Sequence, residues 1–92
     1  MRFLHGGLKR FERDGDQRGI LPAHAARLKR LLSTLKSARS PRDVHNRTLH
    51  ILRAGYLGCP IPRYSVRVSG QWRLVFDFKD GAVNSVDYLN YH

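Results

Sequence analysis

A chain of 92 residues is long enough for one packed core and too short for two, so we expect a single domain over residues 1–92. Its 41% of hydrophobic and 10% of aromatic residues argue against disorder. The 17 Lys and Arg residues, against 7 Asp and Glu, give a net charge of +10. Because 13 of these cations are arginine, whose guanidinium can bind phosphate in a bidentate manner, the balance favours a polyanionic partner, above all nucleic acid. A basic solvated surface or an acidic protein partner is the alternative.

The rest of the composition argues against several kinds of site and segment. A lone cysteine, Cys59, excludes an internal disulfide and a cysteine-rich zinc site. The histidines show neither HxxxH nor HxH spacing, so we predict no metal site and no cofactor; they are His5, His24, His45, His50 and His92. No apolar stretch typical of a secretory signal is visible, and no run approaches the roughly 20 apolar residues of a membrane span. We therefore expect a cytoplasmic protein without a membrane partner.

The first half of the chain predicts two helices. Leu8 and Phe11, set among charged residues, predict a short helix that ends in the Asp-Gly-Asp of residues 14–16, where glycine can adopt the left-handed conformation. Pro22 fits the first turn of a second helix, because a proline there leaves no hydrogen bond unmade. One face of that helix is apolar and carries Leu28, Leu31, Leu32 and Leu35. Its opposite face is either solvated or RNA-facing and carries Lys29, Arg30, Ser33 and Ser37.

The second half predicts a sheet. Residues 41–62 contain several glycines and prolines and are predicted to be an irregular connection, of a length typical of a functional or mobile loop. After Pro62 the hydrophobic period becomes two. This pattern predicts strands over residues 64–68, 71–78 and 82–88, with turns at Ser69-Gly70 and Asp80-Gly81. Two helices followed by an antiparallel meander make an α+β fold.

Arg73 is the most informative residue of the predicted sheet. It alternates with the apolar Trp72 and Leu74 and therefore projects from the opposite face. A charged group in the middle of a strand is costly unless it is solvated or paired. Arg73 is thus either an ion-pair partner of Asp77 or Asp87, or a clamp for a bound anion.

Two segments that contain histidine are further candidates. Tyr91 and His92 place a phenol and an imidazole directly after the last predicted strand, and imidazole is the side chain best suited to proton transfer near neutral pH. This end is either frayed or held against the sheet. His50 and Arg53 lie three residues apart, in a leucine-containing segment where a lone histidine is ordinarily structural.

Motifs along essentially the whole chain match one family. Gly7-Leu8-x-x-Phe11, Pro22 before an Arg-rich helix and Leu49-His50-x-Leu52-Arg53 are the weaker ones. The more specific ones are Ser65-Val66-Arg67-Val68-x-Gly70-x-Trp72-Arg73-Leu74-Val75-Phe76 and Val86-x-Tyr88-x-x-Tyr91-His92. In these motifs the chain resembles the HigB host-inhibition toxins, or plasmid killer proteins. The resemblance implies a RelE/ParE fold, with two N-terminal helices packed on a small twisted antiparallel sheet.

The same resemblance implies a function and partners. Members of this branch are bacterial endoribonucleases that cut messenger RNA on the ribosome and so inhibit translation. A helix-turn-helix antitoxin of the HigA type neutralises them, and operator DNA is bound only through the toxin–antitoxin complex.

Roles for individual residues also follow from the resemblance. Arg73 would stabilise the charge of a phosphorane, and His92 would act as general acid or base. Tyr91 would position or stack the nucleotide, and His50 would assist proton transfer or orientation. The RNA-binding residues would be Arg53, which would grip a phosphate, together with Arg67 and Asn90.

Two departures from the family pattern keep alternatives open. Asn90 stands where the family commonly has aspartate, and residues 54–62 are longer and more apolar than the usual polar turn. They favour a non-catalytic or gyrase-directed toxin of the same fold that still binds its antitoxin. A third alternative is an unrelated basic RNA- or DNA-binding module.

Overall fold

A computed structural model describes residues 1–44, 48–52 and 62–90 of the protein. Its helical half consists of helix α1 (Gly6–Asp14), a 3-10 turn at Pro22–His24, helix α2 (Ala25–Ser37) and a second 3-10 turn at Pro41–Asp43. The strands are β1 (His50–Leu52), β2 (Arg63–Ser69), β3 (Trp72–Lys79) and β4 (Ala82–Asn90), and they form one sheet in the order β1-β2-β3-β4. All three strand pairs are antiparallel, so the predicted α+β fold is confirmed.

The helix ends follow from local hydrogen bonding. The imidazole Nδ1 of His5 accepts the N–H of Leu8 at 3.0 Å and so caps the start of α1. At the other end, Gly15 has φ of 73° and donates its N–H to the carbonyl of Phe11, which confirms the predicted glycine stop. Pro22 opens the 3-10 turn that leads into α2. Within the described residues, no helix is long and apolar enough to cross a membrane.

Strand β1 corrects the sequence prediction, which assigned residues 41–62 to an irregular connection. For residues 50–52 this prediction is wrong, because His50 pairs with Ser65 and the next two residues continue the antiparallel register. A three-residue strand is too short to show a period of two, and its pairing partner lies more than ten residues away along the chain. Neither property leaves a signal in the local sequence.

The two faces of the sheet differ in role. The inner face packs against the helices, and its buried residues share one core with Leu8, Leu28, Leu32 and Leu35. The members contributed by β2, β3 and β4 are Val66, Val68, Leu74, Phe76, Val83, Val86 and Tyr88. We call the opposite side the outer face. It carries Ser65, Arg67, Arg73 and Val75, because each pair of register partners projects to one side.

The start of α1 contacts the backbone before α2 very closely. A Cβ added to Gly7 would lie 2.4 Å from the carbonyl oxygen of Gly19, and one added to Gly19 would lie 2.4 Å from the Cα of Gly7. Two backbone segments meet here with no room for a methyl group. This contact explains why glycine opens the Gly-Leu-x-x-Phe motif of residues 7–11.

Gly7→Ala is therefore expected to destabilise the fold by about 1–3 kcal/mol, the usual effect of overpacking. The sign is informative, because alanine in a helix is otherwise favoured over glycine by about 1 kcal/mol. Gly6→Ala is the matched control, since its Cβ would meet only the flexible Arg10 guanidinium, at 3.7 Å. Denaturant unfolding should show a loss of stability for the first variant alone. Equal stability of the two variants would contradict the close contact.

Candidate active site

Two arginines face each other on the outer face. Arg67 on β2 and Arg73 on β3 are direct register partners, so their side chains leave the sheet side by side. Arg67 is exposed and Arg73 is half-buried. Like charges directly opposite one another destabilise a sheet. An anion bound between them would relieve the repulsion, so this pair can hold a phosphate.

The guanidinium of Arg73 is held by neutral groups. Its Nε donates to the hydroxyl of Ser65 at 3.0 Å, and its Nη2 donates to the main-chain carbonyl of Thr48 at 2.8 Å. Among the ion pairs between described residues, none involves Arg73. The sequence left open an ion pair with Asp77 or Asp87, and the structure does not contain it. The guanidinium of Arg73 is therefore held by neutral acceptors and makes no ion pair with a carboxylate of the described residues.

The acidic side chains of the helical half bind groups other than the arginine pair. Glu12 pairs with Lys36, Asp14 with Arg13, and Asp16 with Arg18. The hydrogen bonds from Arg18 hold the pKa of the Asp16 carboxyl well below its usual range. Asp43 accepts hydrogen bonds from the main-chain N–H groups of residues 39 and 40. None of these four carboxylates bonds to the arginine pair in the described part of the chain.

Thr48 and Ser65 belong to the site, although the sequence analysis did not identify them. Thr48 lies at the position that continues the β1–β2 register opposite Arg67, and its hydroxyl accepts the Arg67 N–H at 2.8 Å. The side chain thus takes the place of a strand carbonyl just before β1 begins. Ser65 is 1% exposed and lies on the same face as Arg73, opposite its fully buried register partner Val75. The only sequence signal was that Ser65 shares the strand parity of Arg67.

His50 lies on the same face as the arginine pair. It is exposed, and its register partner is Ser65, the residue whose hydroxyl holds Arg73. Asn90, predicted to bind RNA, is the register partner of Trp72 and so points to the side of the sheet that faces the helices. The structure therefore does not place Asn90 with Arg73. Three further predicted residues, Arg53, Tyr91 and His92, lie outside the described residues.

Two other histidines have structural contacts away from this face. His24 is buried, and its Nδ1 lies 2.5 Å from the hydroxyl of Tyr88. Trp72 stacks on Tyr88 with ring centroids 4.6 Å apart, and His5 meets the same ring edge-on at 5.3 Å. Burial raises the pKa of the Tyr88 phenol above its ordinary value. This cluster fixes the inner side of the β3–β4 pair at the end where Arg73 leaves the outer face.

The site contains groups suited to anion binding more than to metal binding. Within residues 1–44, 48–52 and 62–90, no three His, Cys, Asp or Glu side chains are grouped so that they could hold a metal ion. The outer face instead offers the guanidinium groups of Arg67 and Arg73 and the exposed imidazole of His50. This arrangement can bind a phosphodiester and place an imidazole near it.

Comparison with protein families gives one full-length match. The model of the HigB-like toxins, described as RelE-like toxins of type II toxin-antitoxin systems, matches residues 1–92. No curated protein matches the chain. The match covers the helices that build the core and the strands that carry the arginine pair.

Proposed function

The chain belongs to the HigB-like family of RelE-like toxins of type II toxin-antitoxin systems, and on this premise we propose that it is a ribosome-dependent endoribonuclease that cleaves messenger RNA and thereby inhibits translation. The observation that carries the proposal is the facing pair of Arg67 and Arg73, with Arg73 held by two neutral acceptors. An uncompensated, positioned cation is what a reaction with developing negative charge on phosphorus requires.

The proposed reaction is an internal transesterification of RNA. The 2′-oxygen forms a bond to the adjacent phosphorus while the bond from phosphorus to the 5′-oxygen breaks. A general base takes the proton of the 2′-hydroxyl, and a general acid gives a proton to the departing 5′-oxygen. The products are a 2′,3′-cyclic phosphate and a new 5′-hydroxyl, so atoms and charge balance without a metal or cofactor.

The described residues suit distinct steps of that reaction. Arg73 would stabilise the phosphorane through Nη1, because its Nε and Nη2 already donate to Ser65 and Thr48. Arg67, exposed beside it, would contact a phosphate oxygen of the bound strand. His50 is exposed on the same face and can serve proton transfer or orientation. His92 as general acid or base, Tyr91 as a stacking residue and Arg53 as a phosphate ligand complete the proposed site.

A type II toxin has a cognate antitoxin, and we propose that this partner is a helix-turn-helix protein of the HigA type. Operator DNA would then be bound by the complex and not by the toxin alone. The target RNA would be bound in the decoding site of the ribosome.

Induced expression of the protein alone is expected to arrest growth, and co-expression of the antitoxin is expected to relieve the arrest. Mapping of messenger 5′ ends after induction should reveal new ends confined to translated regions, because cleavage depends on the ribosome. Arrest with intact messengers would contradict the nuclease and favour a non-catalytic or gyrase-directed toxin. Normal growth at high expression of folded protein would count against both.

A further inference from the structure

We propose that Ser65 is a positioning residue for Arg73: its hydroxyl fixes the guanidinium in the orientation that meets the phosphate, without reducing its charge. The inference rests on the proposed nuclease function for its effect on rate. The contact itself is a property of the folded chain and can be tested separately.

The hydrogen bonds of Arg73 determine which of its nitrogens can reach a substrate. Nε donates to Ser65 and Nη2 donates to the Thr48 carbonyl. Nη1 donates to no acceptor within the described residues, so it remains available to a phosphate oxygen. Two fixed nitrogens set the plane of the rigid guanidinium, and with it the direction of the third. An arginine without these contacts would keep its rotamer freedom until substrate binds. The entropy cost of ordering its side chain would then fall on the binding step.

The Ser65 hydroxyl that holds Arg73 is a neutral acceptor, unlike a carboxylate. An aspartate in place of the serine would hold the guanidinium more tightly, but it would also screen the charge that a phosphorane needs. A hydroxyl accepts the Nε–H and leaves the net charge intact. Ser65 is 1% exposed, so its hydroxyl is a buried acceptor, and its removal leaves the Nε–H of Arg73 without this partner.

Thr48 extends the tether to the strand that carries His50. Its carbonyl accepts from Arg73 and its hydroxyl accepts from the Arg67 N–H. His50, two residues further along, pairs with Ser65. One set of contacts therefore ties together the three described residues proposed to act on RNA.

The test compares Ser65→Ala, which removes the acceptor, with Ser65→Thr, which keeps it. Cleavage of ribosome-bound messenger by Ser65→Ala should show kcat lowered by about tenfold, the value of one hydrogen bond to a charged group, with KM nearly unchanged. Ser65→Thr should recover most of kcat. Ser69→Ala is the matched control, since Ser69 is an exposed serine of the same strand and lies outside the site.

A second measurement reads the tether without any substrate. The Nε–H proton of Arg73, assigned as the signal lost in Arg73→Lys, should exchange slowly with water in the wild type and faster in Ser65→Ala. Unchanged exchange and unchanged kcat in Ser65→Ala would overturn the proposal, as would a loss of stability with the Arg73 signal unaltered. If wild-type protein cuts no RNA while the exchange result holds, the tether stands and the nuclease function fails.

Discussion

Replacing Arg73 with alanine is expected to lower the rate of messenger cleavage by about a hundredfold or more while the protein stays folded. Removal of one positioned donor from a developing charge costs roughly 3 kcal/mol of transition-state stabilisation. The fold should persist because Arg73 makes no ion pair with a described carboxylate. The variant does remove the hydrogen bonds that Arg73 donates to the Ser65 hydroxyl and to the Thr48 carbonyl, and their loss is expected to cost about 1–3 kcal/mol of stability.

The measurement is single-turnover cleavage on programmed ribosomes, with thermal unfolding of each variant alongside. Arg73→Lys is the first control: it keeps the charge, but an ammonium cannot hold both acceptors and also present a planar donor. Arg30→Ala is the second, because it removes one positive charge from the exposed face of α2. A comparable rate loss in Arg30→Ala would reassign the effect to general electrostatic attraction. Unfolding of Arg73→Ala would make Arg73 a structural residue.

The sequence was sufficient to place Arg73 on its face, because strand alternation is a local property. Trp72 and Leu74 lie on the inner face, and Arg73 leaves the other side. The Asp80-Gly81 turn was also predictable, because Asp-Gly favours the positive φ angles that a tight hairpin turn requires. In the structure the two residues have φ of 54° and 73°. Local chemistry determines both features.

The arginine pair itself could not be predicted. That Arg67 stands opposite Arg73 depends on the β2–β3 register, which shifts at a bulge between Arg67 and Ser69. The tether also needs Thr48, which is 25 residues from Arg73 and follows a segment with no strand pattern. Pairing at such separations is decided by packing of the whole sheet.

The RNA-binding role of Asn90 was inferred from the resemblance and stays a prediction. Strand parity alone puts Asn90 on the same side as Tyr88, two residues earlier, and Tyr88 is buried in the core. The structure agrees, with Asn90 opposite Trp72.

His92→Gln is expected to lower cleavage by about a hundredfold, the usual contribution of a general acid or base. The contacts of the described histidines reduce the number of candidates for proton transfer. His24 is buried against Tyr88, and His5 caps α1, so neither is available to a substrate on the outer face. His50 is the described histidine on that face, and His92 is the second candidate. We expect His92 to transfer the proton and His50 to orient the substrate.

Separate glutamine variants of His50 and His92 distinguish their roles through the pH profile of the cleavage rate. An imidazole that transfers a proton contributes a limb to the profile, and its removal should flatten that limb. A positioning imidazole should lower the rate equally at every pH. We expect the flattened limb for His92→Gln and the uniform loss for His50→Gln. The reverse result would move proton transfer to His50, whose strand is tied to Arg73 through Thr48 and Ser65.

Deleting residues 91 and 92 together should abolish cleavage and preserve binding to the antitoxin, because these two residues are proposed to supply chemistry and β4 already extends to Asn90. Antitoxin binding by the truncated protein is the control for folding. If His92→Gln still cuts messenger and the deletion does not, Tyr91 carries the essential role, stacking on the nucleotide. A truncated protein that cuts at the wild-type rate would exclude the chain end from catalysis. The reaction would then depend on His50, Arg53 and Arg73.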